Sequence, residues 1–248
     1  MRTGVTGGNG LLGKTLCSLE EECVPITRRS FDITSEKRII EYFNGQVYKF
    51  NCLIHCAAMI GSKCEENKLM AYRTNVIGTK NVYMSCLNYN IPMIYISTDY
   101  VFQGNLGDYN EDGIPFPKTY YALSKYLGEE IVLRNRLNKV FRVSFCQRPW
   151  PYEFAYFDKI SNRCYVDQVA KIILKLATHY DKYDEQIVHI GTSKKSFYHL
   201  ALQTKKDVKP NSCDGTNTPK DTSFDLTRMF GILDKIDPEF AGEVRRWE

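Results

Sequence analysis

The chain has 248 residues, which is enough for one large domain or for a main domain with a small appendage. Apolar residues make up 43% of it and charged residues 25%, which excludes a disordered or collagen-like chain. The formal net charge is only +4, without a basic block or an aromatic RNA-binding signature, so no nucleic acid partner is expected.

No stretch approaches the roughly 18 apolar residues of a membrane span, and no signal-peptide pattern precedes the first glycine-rich motif. We therefore expect a cytoplasmic protein without a membrane partner. The nine cysteines form an odd number and contain no C-x-x-C pair, which indicates reduced thiols. The four histidines lack ligand spacing, so no metal site is expected.

Strand-length apolar runs alternate with helix-length periodic segments over the first 145 residues. This pattern predicts an α/β fold with a Rossmann-type, doubly wound parallel sheet. The predicted strands are residues 3–6, 24–27, 52–56, 93–97, 140–145 and 187–190. Composition changes near Cys146, and we place a boundary there, with a main domain over 1–145 and a small lobe over 146–248. Such a lobe is expected over the sheet's carboxyl edge, where open α/β sheets bind ligands.

Apolar periodicity predicts three helices with one buried face each. In residues 65–89 the face is Leu69, Tyr72, Val76, Tyr83 and Leu87. In residues 119–137 it is Tyr120, Leu123, Leu127 and Ile131. After Tyr165 it is Val166, Val169, Ile173 and Leu176.

A glycine pattern, T-G-G-N-G-L-L-G over residues 6–13, directly follows the first strand. Its glycines permit positive φ and a close backbone approach, so that a dinucleotide pyrophosphate can lie on the next helix N-terminus. A tight turn without a ligand is the alternative. The predicted contacts are Gly7, Asn9, Gly10, Leu11, Leu12 and Gly13.

Two arginines, Arg28 and Arg29, stand after the second strand, where an NAD-specific protein usually carries an acid for the ribose. Two guanidiniums suit a 2′-phosphate, which favours NADP(H) over NAD(H). An ordinary solvated surface is the alternative. Asp32 comes late in the sequence for a ribose ligand.

Tyr121 and Lys125 lie four residues apart in a predicted helix and therefore on one face of it. A nearby cation lowers the pKa of a phenol, as a general acid for a carbonyl oxygen requires. The preceding strand ends in hydroxyls that could hydrogen-bond the same carbonyl, with Thr98 the preferred donor and Ser97 the second choice. Asn75 inside a helix invites a structural reason, although a solvent-facing side chain is commoner.

Together these motifs resemble the extended short-chain dehydrogenase/reductase superfamily, and most closely its dTDP-4-dehydrorhamnose reductase branch. The resemblance rests on the glycine pattern, on H-C-A-A over residues 55–58, on T-N-V over 74–76, on S-T-D-Y-V-F over 97–102 and on Y-x-x-x-K over 121–125. It covers residues 1–145 in the expected order.

The resemblance implies that Tyr121 gives a proton to a keto oxygen, that Lys125 binds the nicotinamide ribose, and that Thr98 aligns the carbonyl. Asn75 would hold a helix distortion and a proton-relay water. Hydride would pass from NADPH to C4 of a nucleotide-activated 4-keto-6-deoxy sugar. The implied cofactor contacts are the glycine loop, Asp32 and Ile33 at the adenine, and Cys56, Ala57, Ala58, Ser97, Tyr121 and Lys125.

The stretch between Arg142 and Tyr165 is short for a substrate loop of this family. Arg148, Trp150 and Tyr152 could supply substrate contacts there, the guanidinium on a diphosphate and an aromatic ring on the base. A packed cover over the core is the alternative interpretation.

Three functions remain open. The first is an NADP-dependent reductase acting on a nucleotide sugar. The second is a nucleotide-sugar epimerase or dehydratase with the same residues. The third is a non-catalytic, NADP-binding regulatory subunit that resembles that of methionine adenosyltransferase. A homodimer is compatible with each.

Overall fold

The computed structural model describes residues 1–45 and 50–247. Two compact units divide the chain: the first contains Met1–Ser97 and Thr119–Phe141, the second Thr98–Lys118 and Arg142–Glu248. These units interleave along the sequence. The predicted division into residues 1–145 and 146–248 stays a prediction.

The first unit contains the core of a parallel sheet. Its strands are β1 (Thr3–Thr6), β2 (Cys23–Ile26), β3 (Cys52–His55), β4 (Met93–Thr98) and β5 (Lys139–Val143). They lie in the order β5-β4-β3-β1-β2, and the pairs β1–β2, β1–β3 and β3–β4 are parallel. Strands buried on both faces read as continuous apolar runs, which is why the sequence predicted them to within one or two residues. The Rossmann-type parallel sheet is confirmed.

Helices flank these strands. They are α1 (Leu11–Leu19), α2 (Glu36–Asn44), α3 (Ser62–Glu66), α4 (Lys68–Tyr72), a π-helix (Arg73–Gly78), α5 (Thr79–Asn88) and α6 (Tyr120–Val132).

The continuous helix predicted over residues 65–89 is wrong. Asn67 ends α3 and caps α4, its side-chain oxygen accepting a hydrogen bond of 2.9 Å from the amide of Met70. The π-helix then inserts extra residues into the turn and rotates the following face. Consequently only part of the predicted face is buried. Val76 and Tyr83 are buried, and Leu69, Tyr72 and Leu87 are exposed.

The predicted buried face of α6 is only partly correct, because Tyr120, Leu127 and Ile131 are half-buried rather than buried. Leu123 is exposed, whereas Ala122, Lys125, Gly128 and Val132 are buried. At Gly128 a Cβ atom would lie 2.7 Å from Cζ of Tyr95, so this helix approaches β4 through a residue without a side chain. Apolar periodicity does not detect a face built from small and polar residues.

The second unit contains short strands and longer helices. Its elements are β6 (Phe145–Cys146), β7 (Phe154–Tyr156), β8 (Ile160–Ser161), β9 (Cys164–Tyr165), α7 (Val166–Thr178), β10 (Ile187–Ile190), β11 (Lys195–Ser196), α8 (Phe197–Leu202), β12 (Lys209–Asn211), α9 (Thr227–Ile236) and α10 (Pro238–Arg245). Strand β10 has the bounds that the sequence predicted, residues 187–190. The predicted face of α7 is confirmed, because all four of its apolar residues are buried.

Within residues 1–45 and 50–247, no helix has the length and apolar character to cross a lipid bilayer. All nine cysteines are free thiols. In the same part of the chain, no group of three or more His, Cys, Asp or Glu side chains could hold a metal ion.

Candidate active site

A cavity of about 550 Å³ lies in the first unit at the carboxyl ends of β1, β2 and β3. The loops after these strands form its walls, together with Met70 and Thr74. Nine of the predicted cofactor residues line it. They are Gly7, Asn9, Gly10, Arg28, Asp32, Ile33, Cys56, Ala57 and Ala58.

The glycine loop brings backbone close to backbone. Gly7 has a φ of +69°, and a Cβ atom there would lie 2.8 Å from the amide nitrogen of Ala57. A Cβ atom on Gly13 would overlap the carbonyl oxygen of Gly7. Helix α1 starts at Leu11 without a side-chain cap, so the amides of its first turn are left for another acceptor. An anion such as a pyrophosphate satisfies such amides and the helix dipole.

The two predicted arginines are not equivalent. Arg28 lines the cavity, and Arg29 is not among the lining residues. Oδ1 of Asp32 accepts hydrogen bonds from the amide (2.9 Å) and the hydroxyl (2.8 Å) of Thr34. The amide hydrogen bond lowers the pKa of Asp32, and the charge of Arg28 acts in the same direction. This carboxylate is therefore ionised and engaged in its own turn.

Tyr121 and Lys125 lie one turn apart in α6, as their spacing predicted. Lys125 is almost fully buried, and its Nζ lies 3.9 Å from the centroid of the Tyr95 ring. Burial lowers the pKa of Lys125 to about 7. Lys125 therefore releases its proton more readily than an exposed lysine does.

Asn75 lies within the π-helix and is buried, which excludes the solvent-facing alternative. Its Nδ2 donates to the carbonyl of Met59 (2.9 Å) and to Oγ of Ser124 (2.8 Å), and its Oδ1 accepts from the amide of Met59 (2.7 Å). The helix is thus distorted at the position for which the resemblance implied a distortion. Ser124, which the sequence analysis did not single out, belongs to the same network.

Strand β4 ends in the two hydroxyls that the sequence singled out. Oγ of Ser97 is buried and has no hydrogen-bond partner among the described residues. A buried polar atom without a partner is costly, so this hydroxyl is a candidate contact for a bound group.

Thr98, the first residue of the second unit, is also buried. Its hydroxyl donates to Oδ1 of Asp99 (3.2 Å) and accepts from the amide of Tyr100 (3.3 Å). The other oxygen of Asp99 accepts a hydrogen bond of 2.6 Å from Thr222. Burial raises the pKa of Asp99, so this carboxyl group binds a proton more readily than an exposed one.

A second cavity, of about 320 Å³, lies wholly within the second unit. Aromatic rings and two cations form its walls. The lining residues include Tyr100, Trp150, Tyr152, Lys159, Arg163 and Phe197.

Of the predicted substrate residues, Trp150 and Tyr152 line this cavity and Arg148 does not. Nε of Arg148 lies 3.0 Å from Oδ1 of Asp167, and its guanidinium stacks on the Tyr165 ring at 4.2 Å. That guanidinium is therefore already engaged.

Lys159 and Arg163 were not predicted from the sequence as site residues. Lys159 is fully buried, donates to the carbonyl of Pro219, and has its pKa lowered by burial to about 8. Arg163 donates from Nη2 to the carbonyl of Phe145 (2.8 Å), and its buried Nε has no hydrogen-bond partner among the described residues. No local pattern marks these two residues, because the cavity assembles from separate segments.

Comparisons with known proteins agree with this geometry. The family model of the RmlD substrate binding domain matches residues 1–148. The chain is 28% identical over 197 residues to the spore coat polysaccharide biosynthesis protein SpsK of Bacillus subtilis, covering 71% of this chain and 69% of SpsK. It is 25% identical over 219 residues to the dTDP-4-dehydrorhamnose reductase of Aggregatibacter actinomycetemcomitans, covering 79% and 71% of the two chains.

Among solved structures, the dTDP-4-dehydrorhamnose reductase of Bacillus anthracis in complex with NADP is similar with a TM-score of 0.81 and 25% identity. The match covers 99% of this chain and 96% of that one. The family model spans more than half of the chain. The chain therefore belongs to the RmlD substrate binding domain family and is an NAD(P)-dependent oxidoreductase of the short-chain dehydrogenase/reductase type.

Proposed function

We propose that this chain reduces the C4 ketone of a nucleotide-activated 4-keto-6-deoxy sugar, with NADPH as hydride source and Tyr121 as proton donor. The observation that carries the proposal is the first-unit cavity, which the glycine loop, Arg28 and residues 56–58 line together. The glycine loop and the uncapped N-terminus of α1 are the features that bind the pyrophosphate of a dinucleotide. When bound, NADPH supplies the hydride.

Arg28 supports NADPH over NADH. It lines the cavity beside Asp32, and its guanidinium can form charge-assisted hydrogen bonds with a 2′-phosphate. Thr34 occupies Oδ1 of Asp32, so this carboxylate has one oxygen fewer to offer a ribose hydroxyl.

Tyr121 and Lys125 supply the acid chemistry in this proposal. The phenol Oη gives its proton to the developing alkoxide at C4, and the Lys125 ammonium favours the phenolate that remains. Ser97, near the end of β4, offers a hydroxyl that has no hydrogen-bond partner in residues 1–45 and 50–247, and Thr98 is the proposed donor to the ketone oxygen. Because its hydroxyl proton points to Asp99 in the structure, Thr98 must turn away from this acceptor to donate to a ketone.

The second-unit cavity supports a nucleotide sugar as substrate. Nε of Arg163 is buried and has no hydrogen-bond partner among the described residues, while the guanidinium stacks on the Phe197 ring at 4.5 Å; Lys159 adds a second cation. Guanidinium groups recognise phosphates, and aromatic rings such as that of Trp150 stack on a base. We propose that Arg163 takes the role predicted for Arg148.

The deciding experiment mixes the purified protein with NADPH and separate dTDP-, UDP- and GDP-linked 4-keto-6-deoxy sugars, and follows the loss of NADPH absorbance. Stoichiometric consumption with one of them establishes the reductase. Conversion of a sugar without net consumption would instead support an epimerase or dehydratase. NADPH binding by fluorescence, without conversion of any sugar, would support a regulatory subunit.

A further inference from the structure

The amide of Tyr121 is held by a side chain from a distant part of the chain. Oε1 of Glu65, in α3, accepts hydrogen bonds from the amides of Tyr120 (2.7 Å) and Tyr121 (3.2 Å). The hydroxyl oxygen of Thr119 accepts from the amide of Ala122 (3.2 Å). Three consecutive amides of the first turn of α6 thus have side-chain acceptors, and one acceptor is a carboxylate placed where the helix dipole favours it.

The carbonyl of Tyr121 is held as well. Oγ of Ser124 donates to it at 2.7 Å, and the same oxygen accepts from Nδ2 of Asn75. Asn75 in turn bonds both backbone groups of Met59. The backbone of Tyr121 is therefore fixed on both sides, on one side through Glu65 and on the other through Ser124.

Both supports lead back to one stretch, residues 59–66, which we call the clamp segment. It directly follows residues 56–58 of the cofactor cavity wall. Sγ of Cys64 donates to the carbonyl of Met59 (3.2 Å), which closes the clamp segment on itself. One short piece of backbone thus connects the cavity wall to the first turn of α6.

We propose that Glu65 is a positioning residue for Tyr121: its carboxylate fixes the first turn of α6 so that the phenol stays aligned for proton transfer. This inference rests on the proposed function, in which Tyr121 is the proton donor. First turns of helices fray readily, and a misplacement of about 1 Å at a reacting group can lower a rate by about 100-fold. Glu65 does not touch the reacting atoms, so it acts through the backbone.

The test compares Glu65→Ala, Glu65→Asp and Glu65→Gln with the matched control Glu66→Ala, which removes the same charge from the next, exposed residue of α3. We expect Glu65→Ala to lower kcat about tenfold, with KM for the sugar and Kd for NADPH within about twofold of wild type. Gln keeps an acceptor oxygen at the same reach and should retain kcat within about threefold. Asp keeps the charge with a shorter reach and should resemble Ala. The Glu66 variant should behave as wild type.

A second readout does not depend on turnover. Hydrogen–deuterium exchange of the peptide that contains residues 119–125 should be faster in Glu65→Ala than in Glu66→Ala. Equal exchange and equal kcat in these two variants would overturn the proposal, and so would a kcat of the Gln variant as low as that of the Ala variant. If the wild-type protein reduces no keto sugar, the proposed function fails, and the exchange data still decide whether Glu65 holds the helix.

Discussion

The hydroxyl of Thr6 lies 2.7 Å from Nδ1 of His55, at the point where β1 enters the glycine loop. On the other side of the ring, Nε2 lies 3.2 Å from Oγ1 of Thr79, whose own proton goes to the carbonyl of Asn75 (2.7 Å). Thr79 must then accept from Nε2, so His55 is neutral with its proton on Nε2 and accepts from Thr6. The imidazole thereby connects the glycine loop to the π-helix.

The first prediction concerns the pH dependence of stability. Burial, with the charge of Lys125 in second place, lowers the pKa of His55 from 6.5 to about 3. Between these values the unfolded chain binds a proton that the folded protein does not. The free energy of unfolding should therefore decrease as pH falls from 6.5 towards 3, by up to about 1.4 kcal/mol per pH unit from this group.

Urea denaturation at pH 7 and pH 5 measures this contribution. The His55→Gln variant should lose less stability between the two pH values than wild type does, and a variant of the exposed His199 should match wild type. An unchanged pH dependence in His55→Gln would contradict the assignment.

The second prediction concerns the proton donor. Tyr121→Phe removes the phenolic proton and leaves the ring, so we expect kcat to fall by roughly 100-fold or more with little change in NADPH affinity. Tyr120→Phe is the control, because Tyr120 is the adjacent residue of the same helix turn. Steady-state kinetics and fluorescence titration with NADPH give the two quantities. Equal turnover in the two variants would remove Tyr121 from its proposed role.

The third prediction concerns cofactor choice. Arg28→Ala should weaken NADPH binding by about 10- to 100-fold, the range expected for a lost charge-assisted hydrogen bond, and leave NADH binding nearly unchanged. Arg29→Ala should change neither, since Arg29 is not among the residues that line the cavity. Calorimetric titration of each variant with both cofactors checks this. Equal losses for NADPH and NADH in Arg28→Ala would mean that this guanidinium does not recognise the 2′-phosphate.

The fourth prediction concerns the substrate cavity. Arg163→Met should raise KM for the nucleotide sugar by about tenfold or more, because the diphosphate loses a charged donor. Arg148→Met should raise it less, since Arg148 is already paired with Asp167. Kinetics at saturating NADPH separate the two variants. A larger effect at Arg148 than at Arg163 would return the role to the residue that the sequence predicted.

The sequence predicted features that are encoded locally. The strands are short apolar runs, and the glycine loop is one contiguous motif, so both could be found without the fold. The hydrogen bond between the Tyr121 amide and Glu65 could not be predicted, since it joins residues far apart in the chain. The position of Arg163 in the second cavity could not be predicted either, because that cavity is built from separate segments of the chain. Arg148 stands in a more conspicuous segment, yet its partner Asp167 becomes apparent only when the chain is folded.

The buried face of α6 shows a different limit. Lys125 and Gly128 face inward there, and neither residue type contributes to an apolar pattern. A glycine can be required because Tyr95 occupies the space of a side chain, and a lysine can be buried with its ammonium against the Tyr95 ring. Residues kept for close approach or for chemistry break the periodicity on which the prediction of buried faces depends.

The π-helix at Arg73–Gly78 makes the spacing along this part of the chain unusually strict. The wider turn takes up one residue more than an α-helical turn, so removing one residue there would allow the segment to close as an ordinary α-helix with α5 still presenting its present face. The distortion that places Asn75 between Met59 and Ser124 would then be lost. This stretch should therefore accept substitutions at its exposed positions far more readily than a change of length.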